Sequence, residues 1–439
     1  MEFNGNLCLY PRSAWPPPPW DEVDPLFEKV AGWYEQHHAG WPNDPGDLDL
    51  ERYFEKHAPD VLIAYDDLDN LIGNRLNVKF AGQPGAWIVT RKRNLFTSSP
   101  SHNKRDRRHE DKGSMWGAGV DIGLLRQPVN DWDSFARCLD GNVRAELLRL
   151  AKSNAHGIVL AKYARLFGDG PNVGAIALRL DRPVGGSAEP ILTTLQVENR
   201  IWAKVNRQGM TRDLLRNKSI AIIGCGSIGS FLAEQLARSG VGQLNLIDGD
   251  RLRHGNCIRH LADTRFVNLH KPLAIRNILV ERELMDPHQI RINNQDLTAE
   301  EAVALFGEHD LVIDATADSR IFSLFEYLGD TLRHQWVTVA LHRGGNIIRV
   351  DRLGYGTLPW EKRLPRVHEP DEIGVIETGC GDPVSPTPPA SVLAAASLAC
   401  RFAIDTLQPR ARRLLQDSIV ETLLTHNGDG YETLGIQYQ

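Results

Sequence analysis

Residues 206–439 predict an α/β fold, a Rossmann-like and mostly parallel sheet with helices on both faces. Three observations carry this. The apolar run SIAIIG (219–224) ends in a glycine turn, Gly224, Gly226 and Gly229 in G-x-G-x-x-G spacing, that opens into a helical pattern. A second apolar run, QLNLID (243–248), ends on an acid 19 residues after the third glycine. Strand and helix patterns then alternate to residue 316, the sequence signature of a parallel sheet covered by helices.

The elements follow in chain order. Residues 1–58 hold Trp- and Pro-rich stretches (SAWPPPPW, GWPNDPGD) around one amphipathic helix, Val23–His37. Residues 59–205 carry short apolar runs, VLIAY, AWIVT and VGAIALRL, between Gly and Pro turns, and read as a strand-rich middle or spacer domain. Within them the polar, basic stretch 91–113 reads as a solvated loop rather than a nucleic-acid patch. No internal repeat is visible. In the α/β region 219–224 is the first strand. Gly229–Ser239 is a helix with Phe231, Leu232 and Leu236 at helical spacing, and 243–248 is the second strand. A helix near 272–285, a strand near 290–295, a helix near 299–306 and the strand 310–316 complete the alternation. The apolar run 391–407 is interrupted by Arg401 and falls short of the roughly 20 residues of a membrane span, so it reads as a buried helix.

Composition narrows the class. The chain has 439 residues, 42% hydrophobic and 24% charged, enough for two or three domains with a core. Lys plus Arg is 50 against 56 acids, a net charge of −6 that argues against a protein built to coat nucleic acid. Six cysteines (Cys8, Cys138, Cys225, Cys257, Cys380, Cys400) form no Cys-x-x-Cys pair, so no four-thiolate zinc site is expected. So few thiols suit a reducing cytoplasm, and the first residues, MEFNGNLCLYPR, lack the basic start and apolar core of a signal peptide.

The glycine turn predicts a bound phosphate. The first glycine permits the tight turn, the second admits a phosphate close to the backbone, and the third lets the helix pack on the strand. The helix start then offers N–H groups to an anion. NAD, FAD and ATP all satisfy this much. Asp248 suits a ribose, but LIDGDRLRHGNCIRH (246–260) supplies more than a ribose needs: Asp248, Asp250, Asn256 and Arg259, with Lys271 beyond. If a triphosphate were attacked at its α-phosphorus, the transition state would gather negative charge and call for cations, donors and a carboxylate for magnesium. Arg259, Lys271, Asn256 and the acids of DATADS, Asp314 and Asp318, meet that demand. Taken singly, Arg259 and Lys271 read as surface charges, Asp314 as a helix cap and Asp250 as a turn residue; the joint spacing outweighs those readings.

The combined pattern GCGSIG … LIDGDRLRHGNCIRH … VNLHK … VIDATADS resembles the ThiF/MoeB adenylyltransferases and the ubiquitin-activating enzymes related to them, over about residues 206–425. The resemblance implies ATP and Mg2+ as cofactors. It assigns Asp248 to the ATP ribose, with Asp250 in the same block, and Asn256, Arg259 and Lys271 to the phosphates. It assigns Asp318 to magnesium, with Asp314 as rival because DATAD is one residue longer than the family's usual D-x-T-D. The arginine that this family draws from an N-terminal helix has Arg200 and Arg207 as candidates. The family's zinc-binding cysteine pairs are missing, so no zinc is expected. A homodimer is implied, with no nucleic-acid or membrane partner.

Two cysteines are candidate acyl carriers. Cys380, in IETGCGDPVSPTPPASVL, lies between glycines ahead of the helix at 391, and its G-C-G-D-P turn resembles that of bacterial activating enzymes. Cys8, in NGNLCLYPRSAWPPPPW, resembles the acceptor cysteine of a bacterial ubiquitin-conjugating domain, although the sheet and His-Pro-Asn that precede that cysteine in the family are not in the seven residues before Cys8. Cys225 and Cys400 read as packing residues, and Cys257 as close to the chemistry but not nucleophilic. The layout resembles the fused enzymes of bacterial antiphage and ubiquitin-like operons. It implies adenylation of the C-terminal carboxylate of a ubiquitin-like or client protein, a thioester on Cys380, and transfer through Cys8 to an amine of a target protein. The alternatives are a thioester-free adenylyltransferase for a sulfur-carrier-like protein, a nicotinamide or flavin oxidoreductase, and an inactive scaffold.

Overall fold

The computed structural model describes residues 23–38, 58–81, 85–96, 115–125, 129–164, 173–182, 189–209, 211–358, 363, 387–422, 425–426, 431–432 and 435–438. They fall into two units, Met1–Lys204 and Val205–Gln439.

The first unit begins with helix α1 (Val23–His38) and then builds a barrel. Its elements are β1 (Ala58–Tyr65), α2 (Leu68–Leu71), β2 (Asn74–Phe80), β3 (Ala86–Asn94), β4 (Met115–Leu124), α3 (Trp132–Ala136), α4 (Gly141–Ser153), β5 (His156–Ala164), β6 (Val173–Asp181) and β7 (Ile191–Asn199), followed by α5 (Arg200–Arg207). The strands close in the order β1-β3-β2-β4-β5-β6-β7, with β7 returning parallel to β1. Closure leaves no open edge in the region that reads as strand-rich from sequence. Alternating side chains of these strands serve two cores. Ile63, Leu76, Val78, Val89, Ile158 and Leu160 form one, while Val159, Ala161 and Leu178 pack with Phe135, Leu147 and Leu150 of α3 and α4 in the other. The basic stretch beginning at residue 91 does not start as a loop. Residues 91–94 continue β3 and pair with Asn74–Leu76 of β2. Their backbone completes a ladder while Arg91, Lys92 and Asn94 stay in solvent, so charge alone misread them. Residues 97–114 lie outside the described residues.

The second unit runs α6 (Arg212–Leu215), β8 (Ser219–Ile223), α7 (Ser227–Arg238), β9 (Gln243–Ile247), α8 (Lys271–Glu281), β10 (Ile290–Asn293), α9 (Ala299–Glu308), β11 (Leu311–Asp314), α10 (Ser319–Thr331), β12 (Gln335–His342), β13 (Ile347–Gly354), α11 (Pro389–Leu407), β14 (Ser418–Thr422), the hairpin β15 (Thr425–His426) and β16 (Tyr431–Glu432), and β17 (Gly435–Tyr438). The main sheet has the order β10-β9-β8-β11-β12-β13-β14-β17. β10 through β12 are parallel, and β13, β14 and β17 extend the sheet antiparallel. The chain leaves β8 toward β9 on one side and comes back to β11 on the other. That reversal opens a crevice at the carboxyl ends of β8 and β11, where open α/β sheets bind ligands.

Helices cover both faces. On one, Leu232 and Leu236 of α7 share a core with Val392, Ala396, Ala399 and Phe402 of α11. Burying a side chain such as Phe402 contributes about 2 kcal/mol. α11 passes a length-and-composition test for a membrane span, but it is mostly buried within the protein. On the other face Phe306, Phe325 and Trp336 meet edge to face at 5.2 and 5.5 Å. Caps set the helix starts. Thr298 and Glu301 form a capping box on α9, and Asp318 accepts from Arg320 N to open α10. α7 differs, because its N-cap is Gly226 and no side chain caps it.

Candidate functional site

The site is built from the turns that leave β8, β9 and β11. Gly224 has φ +88°, and a Cβ there would lie 2.8 Å from the backbone of Ala315 in the loop after β11. A Cβ at Gly229 would fall 1.8 Å from the Gly224 carbonyl oxygen. These two glycines are demanded by the fold itself. Gly226 is not, since a Cβ there would meet nothing within 4 Å. The first N–H groups of α7 thus face space that the middle glycine leaves open.

Asp248 caps β9 and ties the turns together. Its Oδ2 accepts from Cys225 N at 2.8 Å, and its Oδ1 accepts from Asp250 N at 2.8 Å. The chain then loops out and returns. Leu252 and Asn268–Leu269 exchange backbone hydrogen bonds over a small core of Leu252, Ala262, Phe266, Ala274 and Ile278. This return sets Lys271 at the first turn of α8. Its Nζ lies 2.6 Å from Asp250 Oδ2 and 3.7 Å from Asp248 Oδ1. Burial raises the Asp248 carboxyl above its usual range, and Lys271 opposes that shift.

The intervening segment carries the remaining polar residues. Asn256 uses its amide oxygen to accept from Arg253 N at 3.0 Å, and its amide N–H groups have no hydrogen bond among the described residues. Arg259 N donates to Asn256 O, and Leu261 N donates to Ser230 Oγ on α7 at 3.1 Å, which moors this segment to the glycine turn. His260, next in chain, is pushed down to about 4 by burial and by the positive charges of Lys271 and Arg259, and is neutral at pH 7.

Asp314 and Asp318 line one cavity of about 280 Å³ with Thr338, His342, Arg349 and Asp351. Asp314 is buried. It accepts from Thr316 N at 2.9 Å and Thr316 Oγ1 at 2.6 Å, and burial raises its carboxyl. That turn ends β11 at Asp314, two residues short of the strand expected from the apolar pattern. The extra residue of DATAD, Ala317, adopts φ +57°. Asp318 then caps α10 and pairs with Arg320 at 2.6 Å, which drives its carboxyl down to about 2.

The structure therefore links Asp248, Asp250 and Lys271 by hydrogen bonds and ties them through Cys225 N to the turn of Gly224, Gly226 and Gly229, with Asn256 and Arg259 on the moored segment and Asp314 and Asp318 at the neighbouring strand end. Cys225 and Cys400 are buried, and burial raises both thiols, Cys400 to about 11. Cys257 is partly exposed and its Sγ lies 3.6 Å from Arg253 O. Arg200 is in the first unit, bidentate to Asp66 at 2.7 and 2.8 Å. Arg207 is on the same helix, α5. Cys8 and Cys380 lie outside the described residues. The cavity residues Arg349 and Asp351 went unread in sequence. They alternate with buried Ile348 and Val350 in NIIRVDRLG, a period-2 pattern that marks a strand with one polar face.

Residues 198–324 match the ThiF family, and the chain carries a ThiF family domain there. An ATP-dependent ubiquitin transferase-like protein Cap2 of Enterobacter hormaechei is 31% identical over 145 residues, 32% of this chain and 23% of that protein. The adenylyltransferase and sulfurtransferase MOCS3 of Anopheles gambiae is 31% identical over 117 residues, 26% of each chain. The chain thus spans about a quarter of the length of these relatives. A crystal structure of Escherichia coli MccB with MccA-N7isoASN superposes with a TM-score of 0.42 at 16% identity, over 52% of this chain and 66% of that one.

Proposed function

We propose that this ThiF family domain uses ATP to activate a protein's C-terminal carboxylate as an acyl adenylate. The observation that carries the reading is the convergence of an uncapped helix start, a glycine that the fold does not itself require, and the Asp248–Lys271 pair. An oxidoreductase has use for the first two but not for the cation.

Asp248 receives the ribose hydroxyls. The N–H groups of α7 and the amide of Asn256 donate to the phosphates, and Arg259 and Lys271 supply positive charge. As a carboxylate oxygen bonds to the α-phosphorus, the bond to the bridging oxygen breaks and pyrophosphate leaves; these groups stabilise the charge gathered in between. Asp250, at 74% side-chain exposure, is the partner Lys271 most readily gives up for a phosphate. Magnesium, when bound, neutralises phosphate charge. Asp318, ionised across the working pH range, would hold it, and Asp314 lines the same cavity. The Cys380 thiolate then attacks the acyl carbonyl, AMP departs and a thioester forms, from which Cys8 passes the acyl group to a target amine.

The test is incubation of the full chain with ATP, magnesium and candidate small proteins. Pyrophosphate exchange that depends on the carrier's terminal carboxylate is expected, with an adduct on non-reducing gels that reductant cleaves and Cys380→Ala removes. Cys8→Ala is expected to keep that adduct and lose target modification. Exchange without a thiol-sensitive adduct would retain adenylation and eliminate the thioester; absence of exchange with every carrier would eliminate both.

A further inference from the structure

We propose that a second cavity, at the amino-terminal edge of the parallel sheet, binds a small molecule bearing a di- or polyphosphate. The cavity has about 590 Å³ and is lined by Lys218, Asp310, Arg333, Tyr355, Arg410 and Arg413 among others. The five residues of β8, about 16 Å of strand, separate this edge from the glycine turn.

Charge there is out of balance. Among the described residues Asp310 is the one carboxylate lining the cavity, and it is taken by Lys218 at 2.7 Å and Ser219 N at 2.9 Å. Three guanidiniums remain. The ends of α10 and α11 point at this edge and offset part of their charge, about half a unit each. Arg413 uses that compensation, donating to Thr406 O and Gln408 O at the end of α11. Arg333 and Arg410 have no carboxylate partner among the described residues, two positive charges that complement a dianion. Burial is the largest cause that depresses the Arg413 guanidinium; Arg352 and Arg410 add to it, and Asp405 and Asp417 oppose it.

The remaining two guanidiniums flank one tyrosine ring. Arg333 Cζ lies 5.4 Å, and Arg410 Cζ 5.7 Å, from the centre of the same Tyr355 ring. Arg410 is fixed by Tyr355 O at 2.8 Å and lies where a Cβ on Gly356 would stand. The Arg333 guanidinium has no hydrogen bond or ion pair among the described residues. Its backbone is also unusual. Arg333 follows α10 at φ +54°, and His334 N closes on Gly329 O at 2.9 Å, a helix ending that favours glycine. An arginine kept in that left-handed position carries a cost to stability that its protein contacts do not explain. Planar guanidiniums match phosphate oxygens in forked pairs, and the tyrosine ring, already stacked, is left as a platform for the two arginines.

The proposal stands apart from the adenylation reading, and its test is built to stay apart. The full chain carrying Lys271→Ala, which weakens phosphate binding at the glycine turn, is titrated calorimetrically with pyrophosphate, with inorganic phosphate and ATP in parallel. Pyrophosphate is expected to bind one site, at least tenfold tighter than inorganic phosphate. Arg333→Gln and Arg410→Gln are each expected to weaken it at least tenfold. Arg333→Gly is expected to do the same while raising the melting temperature, an outcome that damage to the fold does not give. ATP binding that is tighter than that of pyrophosphate and weakened by Arg333→Gln would assign the phosphates to a nucleotide, and the reverse order to free diphosphate. No binding in the Lys271→Ala chain, or binding unmoved by both Arg333 variants, overturns the proposal.

Discussion

In the barrel, Glu146 accepts from Arg149 at 2.7 Å and from Arg75 at 2.7 Å, and its carboxyl falls to about 2. Asp66 is lowered in the same way by Arg200. At the carboxyl ends of β9 and β11 the half-buried Asp248 and the buried Asp314 behave oppositely. Asp248 and Asp314 are raised, with burial the largest cause in both. The barrel acids contribute stability above their unfolded value near 4, and that contribution is lost as pH falls toward 2. The strand-end acids contribute below their unfolded value and lose that contribution as pH rises through their folded values. The barrel's carboxylates thus help hold it together once ionised, while burial makes ionising those at the strand ends costly. Acids held at such a cost in a crevice are the ones that chemistry or ligand binding explains.

The largest expected effect asks whether the two units divide labour as this contrast implies. Lys271→Ala removes a cation from the strand-end group and is expected to lower pyrophosphate exchange by roughly 100- to 1000-fold, the range for loss of one preorganised transition-state contact. Arg75→Gln breaks a barrel ion pair and should leave exchange unchanged, with a lower urea midpoint. Equal losses from both variants would end the division.

A second pair of variants tests the site against its own scaffold. Gly229→Ala drives a Cβ into the Gly224 carbonyl oxygen and is expected to cost about 1–3 kcal/mol in urea unfolding, as overpacking does. Gly226→Ala meets open space and is expected to change stability by less than about 0.5 kcal/mol while weakening nucleotide binding roughly tenfold. If Gly226→Ala binds nucleotide as the parent does, the phosphate does not lie over that turn.

The acid side of the contrast predicts a pH dependence. Because Glu146 is lowered, the parent should lose stability between pH 5 and pH 2 faster than Glu146→Gln, and the two curves should converge near pH 2. The separation at pH 7 is expected to be about 1 kcal/mol, since the pair is only partly screened from water. Parallel curves would remove Glu146 from the acid response.

The parallel part of the sheet was legible because each strand there is a buried apolar run followed by a turn whose residues do local work. SIAIIG ends on a positive-φ glycine, and the strand that opens VIDATADS ends where Asp314 accepts from Thr316. Asp248 and Lys271 were each legible as site residues from the joint spacing, and the structure brings them together because the loop between them closes on its own core. What sequence hid was non-local. Closure of the barrel depends on β1 meeting β7 across more than a hundred residues, and no pattern within either strand encodes that pairing. The cationic edge stayed hidden for the same reason, since Lys218, Arg333 and Arg410 are far apart in the chain and meet only when the sheet forms. Polar residues inside β13 went unread, because Arg349, Asp351 and Arg352 are buried charges whose partners come from the folded structure: they satisfy one another or their neighbours.

The smallest expected effect bears on one place where the sequence departs from the pattern of the family it resembles. The additional residue in DATAD is absorbed at Ala317, whose left-handed backbone turns the chain so that Asp318 reaches the start of α10. An alanine there carries roughly 1 kcal/mol of backbone strain that a glycine does not, offset in part by the entropy a glycine loses on folding. Ala317→Gly is therefore expected to stabilise the chain by about 0.5 kcal/mol, read as a raised urea midpoint. Asp318 keeps its cap in that variant, so exchange should be unchanged if the strain is incidental. Should exchange instead fall as stability rises, the strained turn itself sets the aim of Asp318 into the cavity, and the departure from the family pattern belongs to the site rather than to the scaffold.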